Sequence, residues 1–383
     1  MKRLRMLMSI MFIMAASVSS AAVRDTSLLK GLTHRITAEI RPAYNLPTHG
    51  FYKGYNEFGQ AVPMAGSAHL KYSFGLNPDS TIGRLYPTAY QGIGMAWQTF
   101  FNHKATGTPV LLYIFQGSRI ADLGRKLSLD YEWNLGLSYG WRRNEVVGSE
   151  CNIYINVGIP LTWHISPEWD LSFGPEYTHF SNGDTAFPNG GANTFGFRLG
   201  ITNLFNASAV EKAPGRKLIG KEQELKTRKA SERISYDINI YGAWRADRQI
   251  DGSHIAILNK AFPTGGISFN PLYRLNRYFS VGAAADLMID KSADLDMEGN
   301  SPSAFYRQTA LGISFRGELT MPFFSINIGA GYNVLSGADD LRGFFTAYNL
   351  KTFINDFLFL NIGYRLSSVL YSHNLMFGIG IRL

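Results

Sequence analysis

From Leu127 to Trp141 the chain alternates without a break: Leu127, Leu129, Tyr131, Trp133, Leu135, Leu137, Tyr139 and Trp141 are large and apolar, and every residue between them is small, polar or charged. Side chains of a β-strand point to opposite faces with period two, so this stretch has one greasy face and one wet face. A helix would scatter the same residues around its circumference. The run is also far longer than the roughly 5–6 residues of an ordinary strand. It suits a strand crossing a bilayer, with lipid on one side, a polar lumen on the other, and Tyr139 and Trp141 near an interface.

Nothing after residue 22 approaches the roughly 18–20 consecutive apolar residues of a spanning helix. Yet 45% of the chain is hydrophobic and 14% aromatic, with 39 glycines, so the chain is aromatic- and glycine-rich and strand-patterned without a spanning helix. Within hydrocarbon every backbone N–H and C=O must be paired, and strands achieve this only by closing into a barrel. The expected fold class is therefore all-β, a transmembrane antiparallel β-barrel in the outer membrane of a Gram-negative bacterium. The N-terminus supports export: Lys2, Arg3 and Arg5 precede the apolar stretch Leu7 to Ala16, and Ser20-Ala21-Ala22 offers a cleavage site before Val23. Residues 1–22 read as a signal peptide. Its loss would lower the formal net charge from +8 to +5, a mild excess that gives no reason to expect nucleic acid as a partner. The single cysteine, Cys151, excludes an intramolecular disulfide and lies far from any lipoprotein cleavage position.

Eight strands are predicted before residue 206, near 34–43, 66–76, 88–101, 108–120, 125–142, 152–164, 167–181 and 193–205, with breaks at turn-rich clusters. Residues 207–231 are almost free of aromatics and dense in charge, as expected of a solvated linker. Strand-like runs resume near 233–246, 253–262, 265–274, 277–289, 305–320, 323–335, 342–354, 357–367 and 374–383. Barrels of this kind hold even numbers of strands, so one of the two segments between 253 and 274 is expected to be a loop. The two halves look like a diverged duplication: Phe195-Gly-Phe197-Arg-Leu199-Gly-Ile201 resembles Phe377-Gly-Ile379-Gly-Ile381-Arg-Leu383, and Tyr177 aligns with Tyr364. Two tandem eight-stranded barrels, over 23–206 and 232–383, are the expected arrangement. One barrel of about sixteen strands is the alternative, against which the charged linker argues.

The same parity argument applies to residues 169–199. On the seventh strand the apolar series Trp169, Leu171, Phe173, Pro175 and Tyr177 is continued by His179 and Ser181. On the eighth, Phe195, Phe197, Leu199 and Ile201 continue back to Asn193. His179, Ser181 and Asn193 should thus share the lipid-facing side at one end of one hairpin, where cross-strand neighbours stand about 5 Å apart. A chain that enters from the periplasm runs outward on odd-numbered strands, so the loop from Asn182 to Ala192 should be extracellular. The abundant lipid of that leaflet is lipopolysaccharide, whose lipid A carries ester-linked acyl chains.

The stretch His179-Phe-Ser181-Asn182, followed by the turn Pro188-Asn189-Gly190-Gly191, resembles the lipid A 3-O-deacylase, or acyloxyacyl hydrolase, family of outer-membrane barrels. The resemblance runs from His179 to about Asn193, and residues 23–206 fit the family's size and strand count. It implies a Ser-His-Glu triad on the outer wall of an eight-stranded barrel and a lipopolysaccharide substrate within outer-membrane lipid. Carried over, Ser181 is the nucleophile, His179 its general base, and Asn182 with backbone N–H groups near Gly183 the oxyanion donors. The departure is Asn193, where the family has Glu. An amide can orient an imidazole but cannot offset its developing charge, and in serine proteases the Asp-to-Asn change costs about four orders of magnitude. Asp184, in the same loop, is an alternative third member, whereas Glu176 has lumen-facing parity. The aligned positions of the second half are Leu366 and Ser368, so no base remains there. Two functions stay open: a hydrolase acting through Ser181, and a non-enzymatic barrel, pore or structural, whose triad has decayed. The alkyl chain of a substrate would lie along Phe173, Tyr177, Phe195 and Phe197. Trp133, Trp141, Trp163 and Trp169 are expected as interface anchors. No P-loop, dinucleotide fingerprint or zinc cluster occurs, and no cofactor or metal is expected.

Overall fold

The computed structural model describes residues 32–76, 83, 86–205, 233–251, 254–296, 299–355, 357–367 and 371–383. The expected leader, the expected linker and Ser368 lie outside these residues. The first sheet contains β1 (Thr33–Asn45), β2 (Met64–Gly75), β3 (Tyr90–Thr99), β4 (Gly107–Asp122), β5 (Leu127–Trp141), β6 (Cys151–Gly158), β7 (Leu161–His164), β8 (Trp169–Ser181) and β9 (Ala192–Phe205). Neighbours pair antiparallel in chain order, and β1 pairs with β9, so the ring closes and no edge is left for lipid to meet. β6 and β7 both lie between β5 and β8. They are two halves of the sixth barrel strand, broken at Ile159-Pro160, where proline has no N–H to give the ladder. The backbone stays satisfied across the break, with Ile159 N–H donating to Pro175 O at 3.1 Å and Asp130 N–H to Pro160 O at 2.9 Å.

A second ring closes from β10 (Ile234–Asp251), β11 (His254–Arg274), β12 (Phe279–Asp290), β13 (Thr309–Thr320), β14 (Phe324–Ser336), β15 (Gly343–Phe353), β16 (Leu358–Ser367) and β17 (Tyr371–Arg382). The architecture is thus two closed eight-stranded antiparallel barrels, not one of sixteen strands. One expectation fails here. The described residues of the two segments contain no loop: His254–Arg274 is one strand, β11, paired with β10 on both sides of a register shift at Ala246/Arg248. Pro263 sits inside that strand opposite Trp244 of β10, and from Thr264 onward β12 holds its other edge.

Within the first barrel, alternation sorts the walls. The outer face carries half-exposed Ile36, Ile40, Leu70, Met95, Leu112, Val157, Phe173, Phe197 and Ile201. The inner face carries a closed ion network: Lys71 lies 2.8 Å from Glu132, Arg198 lies 2.7 Å from Glu132 and 3.1 Å from Glu176, and Arg41 pairs with Glu39 and with Glu176 at 3.3 Å. Three cations meet three carboxylates, as buried charges must, since each unpaired ion would cost several kcal/mol. Beyond this layer, toward the β8–β9 turn, the lumen is packed with Phe51, Tyr52, Phe100, Tyr113, Trp141, Tyr154 and Phe180. Toward the other end lies a polar cavity of about 300 Å³ lined by Arg35, Arg119, Asp130 and Asp170. The second barrel repeats the device with Asp237 and Glu318 held between Lys351 and Arg382, at 2.6 Å.

Two tryptophans depart from the expected anchoring role. Trp163 and Trp169 are half-exposed on the wall, but Trp133 and Trp141 are buried. At Gly140, φ is +108°, which breaks the alternation and turns Trp141 into the lumen, where its indole N–H donates to Ser138 Oγ at 2.8 Å. The Trp133 indole donates to Gln116 Oε1 at 2.8 Å.

Candidate active site on the outer wall

The connections 46–63, 100–106, 142–150 and 182–191 stand at one end of the first barrel, the end expected to be extracellular. β8 ends there and β9 begins there.

On β8 the even residues Glu176, Thr178 and Phe180 are buried inside, and the odd residues Phe173, Tyr177 and His179 lie outside. Glu176 pairs with Arg41 and Arg198 in the lumen, away from the site. Outside, Phe173 and Phe197 stack with their centroids 5.4 Å apart and planes 2° from parallel, and Phe195 meets Phe197 edge-on at 6.4 Å. With Tyr177 they form an apolar wall, each ring between 39% and 52% exposed.

His179 stands directly opposite Asn193 in the β8–β9 register. Its Nδ1 is 2.7 Å from Asn193 Oδ1. An amide oxygen can only accept, so Nδ1 carries the proton and Nε2 of the neutral ring is left as an acceptor. The Tyr177 hydroxyl donates to the same Oδ1 at 2.6 Å. Ser181 is the last residue of β8, two positions beyond His179, and is 8% exposed. Among the described residues the hydrogen bond of His179 runs to Asn193 and not to Ser181. Nor is its partner Asp184, which sits at the loop's start with φ +63° beside Gly183 at +64°. The Asn182 N–H donates to Asn189 Oδ1 at 2.9 Å, and its side-chain amide reaches Pro188 O at 3.3 Å.

The hairpin is anchored from three sides. Phe180 packs against Trp141, Tyr154 and Phe100 at 5.0, 5.5 and 6.2 Å. The 142–150 loop clamps the turn through Gly148 N–H to Pro188 O at 2.8 Å and Gly190 N–H to Val146 O at 2.9 Å. Tyr52, in the 3-10 turn Gly50–Lys53, donates its hydroxyl to Gly191 O at 2.7 Å, and Leu46 N–H donates to Asn193 O at 2.8 Å. Burial pushes the Tyr52 phenol well above its ordinary range, so it stays a donor at any working pH. At Gly191, φ is +64° and an added Cβ would lie 2.4 Å from Phe180 O, so only glycine fits. Sequence reading assigned Tyr177 to the wall and missed its hydroxyl bond to Asn193, although the shared parity with His179 was a usable signal. Tyr52 and Leu46 carry no comparable signal, because the loop that brings them to the hairpin has no periodicity.

In the second barrel, Tyr364 and Leu366 occupy the outer-facing positions of β16, with Tyr364 paired to Leu375 and Leu366 to Ser372. The strand carries no histidine.

The family model described as lipid A 3-O-deacylase (PagL) matches residues 66–202. A model described as the C-terminal domain of acyloxyacyl hydrolase matches residues 234–383. Searching curated protein sequences finds no match. Among solved structures, Neisserial surface protein A (NspA) is 12% identical, covering 46% of this chain and 98% of its own, with a TM-score of 0.30. The outer membrane enzyme PagL is 15% identical, covering 43% of this chain and 97% of its own, with a TM-score of 0.28. The two family models between them take in most of the first barrel, all of the second and the hairpin bearing His179, Ser181 and Asn193, and the chain belongs to the lipid A 3-O-deacylase, or acyloxyacyl hydrolase, family of Gram-negative outer-membrane β-barrels.

Proposed function

We propose that this chain removes an ester-linked acyl chain from lipid A in the outer leaflet, with Ser181 as nucleophile, His179 as general base and Asn193 as the residue that orients His179. The observation that carries the reading is the His179–Asn193 hydrogen bond, on the outward face of the wall and beside four half-exposed aromatic rings. In the first step His179 Nε2 takes the Ser181 Oγ proton as Oγ attacks the ester carbonyl. Serine–histidine hydrogen bonds commonly tighten only when substrate is bound. The carbonyl oxygen becomes an oxyanion, met by the Asn182 side-chain amide and by the Gly183 N–H. The bond from carbonyl carbon to sugar oxygen breaks, and that oxygen leaves with the proton held on His179. Water, deprotonated by the same imidazole, then attacks the acyl-enzyme; the bond from carbonyl carbon to Ser181 Oγ breaks, His179 returns the proton to Oγ, and the fatty acid is released. The acyl chain lies along Phe173, Tyr177, Phe195 and Phe197.

A specific observation favours a second reading, a barrel without activity. Asn193 cannot neutralise an imidazolium as a carboxylate does. Of the forms that reading takes, a pore is disfavoured because the ion network and the aromatic packing fill the first lumen. The test is fatty-acid release from lipopolysaccharide by purified protein in detergent. Ser181→Ala and His179→Ala should each abolish release while the barrel stays folded. Equal release by Ser181→Ala would refute the mechanism, and identical lipid A mass profiles from cells with and without the protein would favour the inactive barrel.

A further inference from the structure

Two donors meet on one oxygen beside the proposed nucleophile. Asn193 Oδ1 accepts from His179 Nδ1 at 2.7 Å and from the Tyr177 hydroxyl at 2.6 Å. An amide has two unlike ends. With its oxygen toward His179 it holds the proton on Nδ1 and leaves Nε2 able to accept. With its nitrogen toward His179 it would donate to Nδ1 and force the proton onto Nε2, and the ring could no longer take a proton from Ser181. A carboxylate has two equivalent acceptors and no wrong orientation, whereas an amide must be told which way to face. The Tyr177 hydroxyl supplies that instruction. Its proton is satisfied by Asn193 only when the oxygen faces both donors; with the amide reversed, the nitrogen cannot accept and the hydroxyl loses this hydrogen bond.

We infer that Tyr177 is a positioning residue: its O–H fixes the Asn193 amide so that His179 keeps the base-competent tautomer, which lets an amide stand where a carboxylate would need no help. This rests on the hydrolase reading and deepens it. Tyr177, His179 and Asn193 form a relay across the β8–β9 ladder in which the phenol acts on the serine only through the amide and the imidazole.

The test reads the tautomer directly. Ring-nitrogen NMR shifts of 15N-histidine-labelled protein in detergent micelles, with His179 assigned by difference from His179→Gln, should show the proton on Nδ1 in the native chain. In Tyr177→Phe the proton should move to Nε2 or divide between the two. In Tyr177→Phe combined with Asn193→Asp it should return to Nδ1. In parallel, Tyr177→Phe should lower kcat about tenfold or more with little change in KM, and the same change in the Asn193→Asp background should cost less than about twofold. An unchanged tautomer in Tyr177→Phe overturns the inference, as do equal losses of kcat in the two backgrounds. The ring shifts need no turnover. If Ser181→Ala leaves hydrolysis intact, the proposed mechanism falls while the tautomer still decides the role of Tyr177.

Discussion

Asn193→Asp asks how much of the catalytic power of this hairpin is withheld by a missing charge. The two side chains have the same length and shape, so the oxygen now 2.7 Å from His179 Nδ1 can stay where it is. What changes is the field on the ring when it becomes imidazolium. Taking about 3.5 Å between the carboxylate and the centre of ring charge, and an effective dielectric of about 20, the added attraction is about 5 kcal/mol. Holding a carboxylate on a half-buried, lipid-facing wall offsets part of that. A net gain of about 2–3 kcal/mol raises kcat/KM roughly 50-fold, and the four orders of magnitude seen for the converse change in serine proteases is the ceiling. Initial rates of fatty-acid release from lipid A in detergent micelles measure it, with Ser181→Ala in both backgrounds as the control. Asn193→Glu should move the rate the same way. If Asn193→Asp stays within about twofold of the native rate while Ser181→Ala silences both forms, the electrostatic argument fails.

Glu176→Gln tests the parity assignment from the other side of the wall. It leaves Arg41 and Arg198 short of a counter-charge in the buried network, so unfolding by urea should come earlier by about 3 kcal/mol with hydrolysis of the folded protein unaltered. A loss of activity without a loss of stability would place Glu176 in the catalytic site instead. Gly191→Ala puts a methyl group 2.4 Å from Phe180 O at a left-handed backbone position. It should cost at least about 1–2 kcal/mol and displace the hairpin, seen as a lowered Tm together with lost activity; a native Tm would mean the turn has room that the geometry denies it.

Much of the fold could be read from local pattern. Every predicted strand of the first half has a counterpart, with ends within a few residues, because period-two alternation is set by the backbone itself and lipid enforces it on every outward position. That same rule separated His179 from Glu176 along one strand. It failed where the backbone left the regular β region: the positive φ of Gly140 sends Trp141 inward, and nothing in the alternation of 127–141 announces it. The strand count failed at His254–Arg274, where two runs separated in the sequence pattern are one long strand held by its neighbours.

Periodicity, length and the absence of a spanning helix were enough to determine a membrane barrel with His179 on its outward face, since those follow from strand geometry and the need to pair every backbone group in hydrocarbon. Whether the strands formed one ring or two was decided only by tertiary structure. Closure depends on β1 finding β9 and β10 finding β17, pairings between residues far apart in the chain that no local signal encodes. The convergence of Tyr177 and His179 on one oxygen of Asn193 was decided in the same way. It requires the β8–β9 register to be set to the residue, and that register is held by contacts from Tyr52, Leu46 and the 142–150 loop, which the sequence leaves scattered.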